Sequence, residues 1–211
     1  MRDVPFFRLI PVVLVIGLLF LDGCLGRSQT PHFYTLSAIH EAQAMSKGET
    51  PARNAVIGIG PIKLADYLDQ SKLVTRTGDN RMVKAEFDLW AGSFKDNLTN
   101  VLAENIGFLV PTERIYIYPW RQSVPVDYQV VLDVIRCDGQ LGEDALLVAR
   151  WSIIDGQNNK LLTASRSSVR EPVTGSDYAA LVAAQSRVVG RLSREIVAVI
   201  QAASQGQTPG N

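Results

Sequence analysis

Tyr128-Gln-Val-Val-Leu-Asp-Val-Ile-Arg-Cys137 is the stretch on which the fold turns. Its apolar residues recur with a period of two, the signature of a β-strand. Tyr128, Val130, Leu132 and Val134 share one face, while Gln129, Val131, Asp133, Ile135 and Cys137 share the other. A turn at Asp138-Gly139 leads into a second run, Ala145 to Ile154. Asp155-Gly156 with Asn158 and Asn159 makes the next turn, and a third run follows from Lys160 to Val169. Three successive strands joined by short turns predict an antiparallel meander.

Outward from the meander the period changes. Tyr178, Leu181, Val182, Gln185, Val188, Val189, Leu192, Ile196 and Val199 recur at steps of three and four, which predicts a long amphipathic helix. Thr174 and Asp177 are placed to form its capping box. Upstream, Phe87, Trp90, Phe94, Leu98, Val101, Leu102, Asn105 and Leu109 predict a first such helix over residues 86–109, with Pro111 after its end. Ala55 to Leu64 is apolar and β-branched, a buried strand with Pro61 at a bend or edge. Lys72–Thr77 and Arg81–Lys84 flank Gly78-Asp79-Asn80 as a hairpin. Phe33–Leu36 is a short strand candidate, and the polar residues 40–54 read as a loop. Each amphipathic helix needs one apolar surface to cover. The expected fold class is α+β: a single largely antiparallel sheet with two long amphipathic helices packed on one face.

The amino terminus has another character. Leu9 to Leu21 is an apolar run of 13 residues behind Arg2 and Arg8. A spanning helix needs about 20, so this is a secretory signal peptide. Leu21-Asp22-Gly23-Cys24 resembles a bacterial lipobox, in which the cysteine thiol receives a diacylglycerol and cleavage precedes it. Asp22 departs from that pattern, whose residue before the glycine is normally uncharged. Lipoproteins with Asp after the cysteine are commonly kept in the inner membrane. Leu25 stands there instead, so the expected location is the outer membrane. The expected organisation is a leader over 1–23, the lipidated Cys24 and a tether over 24–31, one periplasmic domain over 32–204 and a frayed tail over 205–211.

Composition narrows the classes of function. Among 211 residues, 21 Lys and Arg balance 21 Asp and Glu, so no basic face for nucleic acid is called for. With Cys24 lipidated, Cys137 is alone and reads as a buried apolar residue. The only histidines, His32 and His40, stand near the tether. No paired cysteines and no His-x-x-x-His spacing suggest zinc, and no Gly-x-Ser-x-Gly elbow suggests a serine hydrolase. Pro61 breaks Gly58-Ile-Gly60 as a dinucleotide loop, because it lacks the amide a phosphate needs. No cofactor is expected. Trp90 and Trp151 read as core or interface residues.

Several segments, taken in order, resemble a known family. They are Tyr34-Thr-Leu36, Val56 to Leu68, Leu73 to Asn80, Ala85 to Trp90 continuing into Val101 to Asn105, and Tyr118-Pro-Trp120. Together they are similar to the paraquat-inducible protein C family, the ABC-type transport auxiliary lipoproteins, over residues 32–203. Ala65 stands where that family commonly has proline, and Cys137 where an aromatic or aliphatic residue is expected. The resemblance implies a non-catalytic lipoprotein at the inner face of the outer membrane. Its implied partner is a periplasmic tunnel of mammalian-cell-entry (MCE) domains that carries lipids between the membranes. A partner that caps a symmetric tunnel is most simply a homo-oligomeric ring. Ile62, Leu64, Tyr67 and Leu68 are the expected exposed apolar patch for partner binding or self-association, since Gly60 and Pro61 suit an edge or loop. Arg150, Arg166 and Asp133 are expected to add charged contacts from the meander face. The rival readings are a structural envelope lipoprotein that scaffolds other proteins, and a hydrolase of lipid or peptidoglycan working through carboxylates.

Overall fold

The structure is a computed structural model that describes residues 29–206 apart from 40–51, 53 and 122. The predicted meander forms from β6 (Tyr128–Gly139), β7 (Asp144–Asp155) and β8 (Lys160–Pro172). Its antiparallel register runs from Tyr128↔Asp155 to Gly139↔Ala145 and from Asp155↔Lys160 to Asp144↔Pro172. Asp155 shapes the β7–β8 turn by accepting backbone N–H bonds from Gln157 at 2.9 Å and Asn158 at 3.1 Å.

The meander is only part of a mixed sheet of five strands, ordered β5-β2-β6-β7-β8. β2 (Ile57–Leu64) runs parallel to both neighbours, β6 and the short β5 (Ile115–Ile117). A parallel strand buried on both edges suits its Ile-rich composition. Pro61 is therefore neither at an edge nor outside the sheet. The β2–β6 register shifts between Ile59 and Ile62, and Pro61 sits in that bulge, where a missing N–H breaks no ladder bond. Gln129 Nε2 donates to the Gly60 carbonyl at 2.8 Å across the gap.

A second sheet of three strands overturns the expectation of one largely antiparallel sheet. β3 (Lys72–Arg76) and β4 (Met82–Trp90) make the predicted hairpin, and β1 (His32–Tyr34) adds parallel to β4. The physical reason lies in β2. Both its edges are taken by β5 and β6, so the hairpin that follows it has no place beside it and pairs with β1 instead.

Helix α1 is Phe94–Leu109 and helix α2 is Tyr178–Ser204. The expected start of the first helix at residue 86 is corrected: Phe87 and Trp90 belong to β4. Gly92, at φ +133°, breaks the strand, and Ser93 Oγ accepts the Asp96 N–H as N-cap at 3.2 Å. Trp90 still packs on Phe94, with ring centroids 4.7 Å apart. At α2 the cap is Asp177 itself, accepting from the Ala180 N–H at 2.8 Å, and Thr174 takes no part. The helices pack on each other and on the five-stranded sheet, α1 over β2 and β5, α2 over β6, β7 and β8. Ile57, Ile59, Leu98, Leu102, Val130, Leu147, Leu192 and Ile196 are buried in that core. Each such side chain is worth about 1.5–3 kcal/mol of burial.

Candidate functional site

With the helices on one face, the meander's other face shows alternate residues to solvent. The register aligns them in rows: Gln129–Ile154–Leu161, Val131–Ser152–Ala164 and Asp133–Arg150–Arg166. The small Ser152 and Ala164 leave a shallow depression of about 480 Å³, bounded by Val131 and the two arginines. Arg150 Nη2 pairs with Asp133 at 2.8 Å. An exposed pair of this kind contributes at most about 1 kcal/mol. The pair sums to no net charge, and Arg166, next in the same row, adds a positive charge to an otherwise open sheet.

The rim beside β2 is aromatic. Tyr116, Ile117 and Tyr118 are exposed, Tyr118 by 52%. Trp120 lies over Gly58, where a Cβ would come within 2.6 Å of its ring, and meets Tyr118 edge-on at 5.6 Å. The Ile57 N–H donates to the Arg114 carbonyl and the Tyr118 N–H to the Ile59 carbonyl, both at 2.9 Å. By alternation, the backbone groups of Ile115 and Ile117 face away from β2. β5 is thus an apolar edge strand with open hydrogen-bonding positions and none of the charged side chains that usually blunt such edges.

Ile62, Leu64, Tyr67 and Leu68 do not form the exposed patch expected of them. Ile62 is 5%, Leu64 8% and Leu68 6% exposed, all within the core. The cause is the central place of β2 and the 3-10 turn Asp66–Leu68, which folds Leu68 inward. Tyr67 donates its hydroxyl to Asp138 Oδ2 at 2.6 Å. Asp138 is fully buried and also accepts Arg76 Nε at 3.2 Å, Arg76 Nη2 at 3.1 Å and Arg136 Nη2 at 2.8 Å. Burial alone would raise its pKa, but these hydrogen bonds hold the carboxyl below its ordinary value. The same contact, after burial, pushes the Tyr67 hydroxyl up.

A β-bulge creates this cluster. The β6–β7 register shifts between Val134 and Arg136. One extra residue reverses the alternation beyond it, so Cys137 joins Val130, Leu132 and Val134 on the core face, not the opposite face that strict alternation assigned. Arg136 and Asp138 turn to the other side. Cys137 is a free, buried thiol whose pKa burial pushes up to about 12, with Asp138 adding to it. Cys137→Ser is expected to destabilise by about 1–2 kcal/mol by burying a hydroxyl, and Cys137→Val by less than about 1 kcal/mol, as a swap of similar volume. A polar maleimide should leave the native thiol unmodified, so rapid labelling would contradict this.

The chain enters the domain through a clamp. The Leu36 N–H donates to Asn97 Oδ1 at 2.7 Å, Ser37 N–H to Ser186 Oγ at 3.1 Å and Ile39 N–H to Asn105 Oδ1 at 2.8 Å. Asn105 also donates Nδ2 to Ser193 Oγ at 3.1 Å. Helical periodicity places Asn105 and Gln185 on apolar helix faces. A buried amide on such a face calls for a partner, and that was the available signal. Gln185 Nε2 reaches the Cys137 carbonyl at 3.1 Å. Trp151 is a core residue, its Nε1 bonded to Ser167 Oγ at 2.8 Å. Cys24 lies outside the described residues. Among them, no helix is long and apolar enough to cross a membrane.

A sequence model of the family described as "ABC-type transport auxiliary lipoprotein component" matches residues 34–197. The intermembrane transport lipoprotein PqiC of Escherichia coli K12 is 25% identical over 99 residues, 47% of this chain and 51% of the relative. This alignment thus spans about half the length of the curated relative. The crystal structure of protein XCC0632 from Xanthomonas campestris superposes with a TM-score of 0.66 at 15% identity, covering 83% of this chain and 99% of that one. Another solved structure gives 0.66 at 17% identity, covering 82% and 99%. At those identities the likeness is one of fold.

Proposed function

We propose, from the premise that this chain belongs to the family of ABC-type transport auxiliary lipoprotein components, that it joins an MCE-domain lipid tunnel to the outer membrane. In this reading, lipid on Cys24 holds the domain at the periplasmic face of the outer membrane. The domain then binds the tunnel without performing catalysis itself. The observation that carries the reading is the extent of the family match. Residues 34–197 run from β1 into the last turns of α2, so the likeness concerns the folded domain and not the leader. The relative's description as an intermembrane transport lipoprotein supports a role in transport between membranes.

The architecture suits such a role. An open sheet face and an apolar edge offer area for a partner, and aromatic residues with arginine are the types enriched at interfaces. A head-to-tail ring would need two different lateral surfaces on each subunit. β5 and β8, at opposite edges of the five-stranded sheet, supply two different ones. They replace residues 62–68 as the candidates for self-association.

Cys24→Ser tests the anchor. The variant is expected to lose membrane fractionation, and globomycin, which blocks lipoprotein signal cleavage, to make the wild-type precursor accumulate. Two acyl chains hold a protein at a bilayer almost irreversibly, whereas none holds it there. A Cys24→Ser protein that matures normally and stays with membranes would rule the anchor out. Affinity purification of the anchored wild type should bring an MCE-domain protein with it. A domain that recovers no such protein under crosslinking would remove the tunnel from the reading.

A further inference from the structure

The strap Thr35–Ile39 cannot easily lengthen the tether before it. Leu36, Ser37 and Ile39 are gripped through their backbone N–H groups by Asn97 on α1, Ser186 on α2 and Asn105 on α1. Asn97 Nδ2 adds a bond to Thr35 Oγ1 at 2.6 Å. Leu36 is buried in the core. At Gly190 a Cβ would come within 2.8 Å of Ile39 Cγ2, so glycine there lets the strap close onto α2. These contacts read the backbone itself, and peeling the strap off would leave a buried carboxamide on α1 unsatisfied.

What lies just before the strap is the edge strand β1. It pairs on one side only, with β4. Its central residue, Phe33, is 63% exposed, the most exposed large apolar side chain among the described residues. Asp88 beside it is engaged by the Tyr34 hydroxyl at 2.7 Å and by His32 Nδ1 at 3.3 Å. From Cys24 to His32 there are eight residue steps, which even fully extended reach no more than about 29 Å. A phenyl ring alone binds a bilayer weakly. At the end of so short a leash its effective concentration at the surface is of millimolar order or more.

We infer that the β1 edge is the side of the domain that meets the bilayer, with Phe33 seated among the phospholipid headgroups. The inference rests on lipidation of Cys24 as proposed above. It goes beyond that reading by fixing which edge faces the membrane, and with it the orientation in which every other surface is presented.

The test uses the full-length, lipidated protein in phosphatidylethanolamine–phosphatidylglycerol vesicles. Cys137→Val removes the other thiol, and an environment-sensitive fluorophore is attached at Phe33→Cys or, for comparison, at the exposed Ala198→Cys on the C-terminal half of α2, a surface given no partner above. Both positions are exposed, and circular dichroism checks each fold. Lipids carrying a spin label near the headgroup are expected to quench the residue-33 probe at least twofold and shift its emission to the blue. The residue-198 probe should keep its aqueous emission. Protein that floats with the vesicles while the residue-33 probe stays unquenched overturns the orientation and leaves the anchor standing. Equal quenching at both positions also overturns it. Protein that fails to float overturns the anchor and this orientation together.

Discussion

Asp138→Ala is expected to cost about 3–5 kcal/mol of stability, the range for removing one partner of a buried ion pair. For a domain of this size that lowers Tm by roughly 6–20 °C. The carboxylate is fully buried and accepts from two guanidinium groups and one phenol. Alanine would leave Arg136, Tyr67 and the Nε and Nη2 groups of Arg76 facing one another without the carboxylate that accepts from all of them. The pH dependence follows from the sign of the shift. The native carboxyl is held below its ordinary value, so its contribution is complete above the unfolded pKa of about 3.9. It is lost as pH falls through the lower native value. The difference between wild type and variant should therefore stay constant from pH 5 to 8 and shrink only in acid. Urea unfolding followed by circular dichroism at pH 7 and pH 3 measures both. Equal midpoints at pH 7 would show that the cluster holds nothing together.

Asn105→Ala should cost about 2–4 kcal/mol. Each buried partner left unsatisfied loses about 1–3 kcal/mol, and the shorter side chain leaves a small cavity. The Ile39 N–H loses its acceptor, and the Ser193 hydroxyl loses one of its two bonds while still donating to the Val189 carbonyl at 2.8 Å. The effect should also be local. Hydrogen exchange at the Ile39 amide is expected to accelerate beyond what the global loss of stability explains, because this variant unpins the strap first. Protection at Ile39 that falls only in step with that of the α2 core amides would mean the strap is held by Leu36 and Ile39 packing and not by the amide clamp.

The clamp and the carboxylate cluster both depend on residues far apart in the chain, 36–39 with 97–193 and 67–76 with 136–138. Periodicity determines by itself that residues 128–169 form three strands and that 178–199 lie on a helix, because alternate or every third and fourth apolar residue must face one side. The turn residues Gly78-Asp79-Asn80 mark the hairpin, and the cysteine count marks Cys137 as an unpaired, buried thiol. The family was legible too, through ordered segments spread over the chain. What it did not determine was which strands pair. Ile57 to Leu64 reads as a buried strand whichever edges it uses, and only the tertiary structure decided that β5 and β6 take both, sending the following hairpin into a second sheet. Nor is a bulge visible in a residue string. Ile135 and Arg136 look like two ordinary strand positions, yet the extra residue between the registered pairs turns Cys137 into the core and Asp138 onto the opposite face. The patch expected at Ile62, Leu64, Tyr67 and Leu68 failed for the same reason. Side-chain type is local and written in the sequence, whereas exposure depends on which neighbours the chain brings back from far away.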